Sequence, residues 1–237
     1  MTKRISARAT LAVGTTVIYC ACLAVAVGSA QEQRRAPLPD MQVIADALGV
    51  QCEYCHGAGQ VTAIGKPRLD VAREMIEMTA ELNTRVRAAT GKPATEAVRV
   101  ECSTCHLGVP VPKPLRDLIL ETSVRQSPDA AAKLYRDLRT KFYGRQSYDF
   151  SETTLIAVAD RLAQSRPAAA IAIADLNLEF YPASWRSYLA RGIAQSRRLE
   201  TTPDAVESFK KALELDPGNG VVQGWLAQTE PVARRQR

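Results

Sequence analysis

The chain has 237 residues, 46% of them hydrophobic and only 5% aromatic, enough apolar material for one or two packed domains. Alanine, leucine and arginine are abundant and β-branched runs are few, which predicts helix over sheet. The formal charge of +6 overstates the basic character: residues 1–30 hold Lys3, Arg4 and Arg8 and no acid, leaving 28 basic against 25 acidic residues elsewhere, so charge gives no support to nucleic-acid binding.

Residues 1–30 read as an export signal. Lys3, Arg4 and Arg8 precede an uncharged apolar segment over about 9–28, and the small residues Gly28, Ser29 and Ala30 stand before Gln31. Cleavage after Ala30 is the reading adopted here. The alternative is an uncleaved membrane anchor through residues 9–28, a segment just long enough to span a bilayer. Cys20 and Cys22 lie inside it, lack the leucine expected three places before a lipoprotein cysteine, and read as apolar filler. Export predicts a periplasmic protein.

Residues 31–114 form the next expected unit. Pro39-Asp40 opens a short helix with Met41, Ile44, Ala45 and Leu48 on one face, and Gly49 stops it. Cys52-Glu53-Tyr54-Cys55-His56 follows, then a Gly-rich loop from Gly57 to Pro67. A second helix is predicted over about 69–88, with Val71, Met75, Met78, Leu82 and Val86 as its apolar stripe. Thr90-Gly91-Lys92-Pro93 ends it. Cys102-Ser103-Thr104-Cys105-His106 leads into Gly108-Val-Pro-Val-Pro-Lys-Pro114, whose prolines mark an extended boundary.

Padding helices are expected over 115–166 and a helical-repeat array over 167–237. Helices are predicted at about 128–142, 152–164, 167–180, 184–196, 203–215 and 219–228, with Ser127 and Ser151 as caps. Ala170-Ile171, Ala174, Leu178, Phe180 and Pro182 correspond, 35 residues on, to Ala205-Val206, Phe209, Leu213, Leu215 and Pro217. That period is close to the 34 residues of tetratricopeptide repeats. The fold class is therefore mainly α: a small unit of short helices and loops, then an array of helical hairpins.

Each Cys-x-x-Cys-His motif is the attachment signature of c-type haem, in which the cysteines bond the porphyrin and the histidine becomes the proximal iron ligand. Cys52, Cys55, Cys102 and Cys105 are then the attachment residues of two covalently bound haems, with His56 and His106 as proximal ligands. These four are all the cysteines outside the export signal, and these two are all the histidines. A zinc site is the rival. The 46 residues between Cys55 and Cys102 exceed compact zinc spacing, and the adjacent histidines favour haem.

With no third histidine, the sixth ligands fall to methionine, a pairing that raises the haem potential. Beyond the initiator the chain has only Met41, Met75 and Met78. Met41 lies eleven residues before Cys52 on the first helix, and the turn at Gly49 can bring that helix back over haem 1. Met75 and Met78 share one stripe, so either can serve haem 2 while the other packs. A five-coordinate or lysine-ligated iron is the alternative at either site. Arg73 and Lys66 could pair with haem propionates, but a solvated helix face is the reading preferred for them.

The run from Met41 through Leu48-Gly49-Val50-Gln51 to His56 resembles the photosynthetic reaction-centre cytochrome c subunit. So do Lys66-Pro67, Ala72-Arg73-Glu74-Met75-Ile76-Glu77-Met78-Thr79 with Asn83, and Val100-Glu101-Cys102 through Gly108. The resemblance covers about residues 39–114. It implies that each haem takes its methionine from the helix preceding its motif: Met41 for haem 1, and Met75 rather than Met78 for haem 2. The family's subunit carries four haems where this chain has two motifs, so the resemblance supports the haem-binding fold more than a photosynthetic role.

The expected function is a periplasmic dihaem cytochrome that carries single electrons between redox partner proteins, a membrane-bound electron-transfer complex being one candidate. The repeat region would dock a partner. Six-coordinate irons leave no position for substrate, so electron transfer is expected over catalysis. Two alternatives stand beside it. One is a haem enzyme or sensor of the peroxidase or small-ligand class with one open iron. The other is a repeat-based interaction protein with structural haems.

Overall fold

The computed structural model describes residues 40–57 and 67–235. The export segment with Cys20 and Cys22, and Lys66, lie outside these. Among the described residues the chain is entirely helical, with no strand. The helices are α1 (Met41–Leu48), α2 (Glu53–His56), α3 (Pro67–Thr90), α4 (Cys102–His106), α5 (Leu115–Arg125) and α6 (Pro128–Phe142). There follow α7 (Glu152–Leu162), α8 (Pro167–Phe180), α9 (Trp185–Gln195), α10 (Thr202–Leu215) and α11 (Gly220–Arg234), with a single 3-10 turn, Leu199–Thr201, before α10. No helix among them is long and apolar enough to cross a membrane.

Most boundaries fall where caps and periodicity put them. Asp40 caps α1 by accepting the Gln42 N–H at 2.9 Å, and Ser127 caps α6 by accepting the Ala130 N–H at 3.0 Å. Helix α5 lies within 115–166, where padding helices are expected, but at a place that neither period nor cap marks. Pro114 directly precedes its first turn, where a missing N–H breaks no helical bond. Its buried stripe is only Leu115, Ile119 and Ser123, too sparse to register as a period. Helix α11 also runs past its expected end at 228, through Pro231 to Arg234. Pro231 is solvent-exposed, so water can serve the carbonyl that loses its N–H partner.

Helices α5 to α11 stack in sequence. Each packs on the next along α7, α8, α9, α10 and α11; α5 also packs on α6 and α7, α7 on α9, and α6 on α8. This is a two-layered helical array. One core runs from Val109 through Leu115, Ile119, Tyr135, Phe150, Leu155 and Ile173 to Ala194. Tyr135 meets Phe150 edge-on at 5.6 Å, and the Arg139 guanidinium caps this cluster, 4.5 Å over the Phe180 ring, while donating to Phe150 O at 3.3 Å. A second cluster joins Ala205, Phe209, Ala212 and Val222, with Trp225 stacked on Phe209 at 6.1 Å.

The N-terminal helices are tied together by backbone. Gly49 ends α1 in the left-handed region (φ 63°), its N–H reaching Ala45 O and Asp46 O. A Cβ at Gly49 would stand 2.2 Å from Gly108 O, so α1 ends hard against the turn after α4. The Gly108 N–H donates to Ala47 O at 2.9 Å, and Gly108 itself has φ 82°. The Ser147 hydroxyl closes the same turn by donating to Leu107 O at 2.5 Å.

Two substitutions test these contacts. Gly49→Ala adds a methyl to a left-handed residue facing a carbonyl, and is expected to cost about 2 kcal/mol or more, read as a lower urea midpoint. Gly192→Ala drives a Cβ to 2.5 Å from the buried Phe209 ring, and is expected to cost about 1–3 kcal/mol through overpacking of α9 on α10.

Candidate haem-binding site

Both Cys-x-x-Cys-His motifs fold as single short helices that end on their histidine. In α2 the His56 N–H donates to Cys52 O at 3.1 Å, and Gly57 leaves the helix with φ 74°. In α4 the Thr104 hydroxyl accepts the Glu101 N–H at 2.9 Å, and Leu107 follows His106 in the left-handed region with φ 50°. Helical geometry puts the two cysteines of each motif about 300° apart, on neighbouring turns of one face. All four thiols are free, Cys52 and Cys105 exposed and Cys55 and Cys102 half-buried.

The proximal candidates differ in their surroundings. His106 Nδ1 lies 3.0 Å from Val109 O. A carbonyl can only accept, so Nδ1 carries the proton and Nε2 keeps its lone pair for a metal. His56 is half-buried at the end of α2. Among the described residues no three His, Cys, Asp or Glu side chains converge to hold a bare metal ion, so the two motifs do not meet as one zinc-type cluster.

Helix α3 is the odd element. It runs for 24 residues, yet none of its described side chains is buried. Its apolar stripe lies open, with Val71 57%, Met75 39%, Met78 44% and Leu82 37% exposed. On α1, Met41 and Val43 are likewise about half exposed. A helix of this length with an uncovered apolar face lacks the packing that normally holds a helix in a fold. Flat apolar rings bonded to the adjacent cysteines would supply that cover, and the residues fit haem in both donor chemistry and uncovered surface. The three candidate methionines all lie on these two uncovered helices.

The two halves of the site interlock. Helix α1, with Met41, packs on α4, while α2 packs on α3, which carries Met75 and Met78. Asn83 supplies a link that sequence reasoning left without a role. Its Nδ2 donates to Val100 O at 2.8 Å and its Oδ1 accepts the Val100 N–H at 2.9 Å, two residues before Cys102. The available signal was an asparagine, a poor helix former, in the interior of a long helix. Arg73 pairs with Asp70 at 3.1 Å on the exposed face, in keeping with a solvated helix surface.

Comparison with known proteins finds cytochromes c over the same stretch of the chain. Residues 41–147 match the family model of the photosynthetic reaction centre cytochrome C subunit, which reaches past Pro114 to the Ser147 that holds Leu107. Cytochrome c-554 of Chloroflexus aurantiacus is 30% identical over 69 residues, 29% of this chain and 16% of that protein. The photosynthetic reaction center cytochrome c subunit of Roseobacter denitrificans is 41% identical over 64 residues, 26% of this chain and 17% of that one. The chain thus spans about a sixth of the length of the curated relatives it matches. No solved structure matches it. Over residues 41–147, just under half of its length, the chain is thus similar to the photosynthetic reaction centre cytochrome c subunit family.

Proposed function

We propose that this protein is a dihaem c-type cytochrome that passes single electrons between redox partners in the periplasm. Residues 31–114 would form the haem unit, residues 115–166 the helices that brace it, and residues 167–237 a tetratricopeptide-like array that docks a partner. Cys52 and Cys55 would hold one haem, Cys102 and Cys105 the other. His56 and His106 would be the proximal ligands, Met41 and Met75 the distal ones. The observation that carries this reading is the half-exposed apolar face of α1 and α3 beside two Cys-x-x-Cys-His motifs whose thiols are free.

Bound haem supplies a one-electron couple at its iron, and His/Met ligation sets that couple high. The chain's own part is to orient and to exclude. Val109 O holds the His106 ring in the tautomer that presents Nε2. The stripe residues Val71 and Leu82 would shield porphyrin from water, which favours the less charged reduced state. Thioethers as sixth ligands leave no open position, and this sets electron relay above peroxidase-type or small-ligand chemistry.

Export supports the location, since the motifs need thiols delivered to the compartment where haem is attached. Residues 1–30 would be removed there, or 9–28 retained as an anchor. The partner would be a redox protein, soluble or part of a membrane complex.

Purified holoprotein is expected to give two haems per chain by pyridine haemochrome, falling to one in Cys102→Ala/Cys105→Ala. The ferric spectrum is expected to be low-spin at both irons. A high-spin fraction in the wild type would favour the open-iron enzyme or sensor instead. Amino-terminal sequencing of the periplasmic protein is expected to begin at Gln31; a start near Met1 would establish the anchor.

A further inference from the structure

We infer that Asn83 is the residue that sets the rotation of α3, so that Met75 and not Met78 faces the second haem. This rests on the dihaem reading above and adds a positioning residue to it. Asn83 reads both backbone groups of Val100, donating to its carbonyl at 2.8 Å and accepting its N–H at 2.9 Å. A carboxamide paired in this way with one residue acts like a rung of a sheet, fixing distance and orientation together. Val100 leads straight into Glu101 and the second motif, so the pair pins α3 to the segment that carries Cys102.

A hydrogen-bonded line then runs along α3 to Met75. Asn83 Nδ2 also donates to Thr79 O at 2.9 Å, and the Thr79 hydroxyl donates to Met75 O at 2.7 Å. Met75, Thr79 and Asn83 are spaced i, i+4 and i+8, the spacing that keeps residues on one side of a helix. At 3.6 residues per turn Met75 lies about 80° round the axis from Asn83, and Met78 about 140°. Pinning Asn83 to Val100 therefore turns Met75 toward the second motif and Met78 away from it. Exposure does not separate the two methionines, which are 39% and 44% exposed. The clamp does.

Helix α3 buries none of its described side chains, so loss of this clamp removes orientation and little core. In Asn83→Ala both haems are expected to remain attached and helical circular dichroism to stay as in the wild type. One of the two potentials is expected to drop, and the sulfur-to-iron charge-transfer absorbance to fall by up to half. Asn83→Asp keeps the acceptor for the Val100 N–H and loses the donor to Val100 O, so it is expected to fall between. Met78→Leu is expected to be silent in both readouts, and Met75→Leu to remove half of the absorbance. Unchanged potentials and absorbance in Asn83→Ala, alongside a loss in Met75→Leu, would overturn the positioning role while leaving the ligand assignment intact. An intact absorbance in Met75→Leu would overturn the assignment itself, and the positioning role with it.

Discussion

The N-terminal half of this protein depends on one close approach of backbone to backbone. Gly49 meets Gly108 with no room for a side chain, and the Gly108 N–H closes on Ala47 O. This contact is what joins the end of α1 to the exit from α4, across nearly sixty residues of sequence. The side chains that α1 buries, Ala45 and Ala47, are small, while Met41 and Val43 stay about half exposed. Two glycines in the left-handed region, and the hydrogen bond from the Gly108 N–H to Ala47 O, do the holding. The arrangement is also crosswise: the helix before the first motif rests on the second motif, and the helix between the motifs rests on the first.

This layout explains the contrast between the two ends of the molecule. From Val109 onward the chain builds an ordinary core of aliphatic and aromatic side chains, with Tyr135, Ile119 and Phe209 fully enclosed. Before Val109 only Ala45 and Ala47 are buried among the described residues. The apolar residues needed for a core exist in that half, but among the described residues they line surfaces that stay about half open. A prosthetic group is the natural filling for such a surface, as the family's c-type chemistry implies.

The sequence was most legible where a signal is local. Caps at Asp40 and Ser127, the stops at Gly49 and Gly91, and the stripe of α3 are set by a few adjacent residues, and the helices follow them. The Cys-x-x-Cys-His spacing is equally local. Within the helical stretch 115–166 the bounds of α5 were not legible, because only Leu115 and Ile119 of its inward face are apolar and buried. The Asn83–Val100 pair and the Gly49–Gly108 contact join residues 17 and 59 positions apart, and nothing in either residue type announces its partner. Long-range pairing of polar and backbone groups has no periodicity to reveal it.

Val109 occupies both worlds. Its side chain is the first member of the array's core, and its carbonyl holds the proton of the His106 imidazole. The helical stack is thereby joined, through one hydrogen bond and no intervening side chain, to the orientation of a single imidazole ring. The array is in this sense a mount for the histidine.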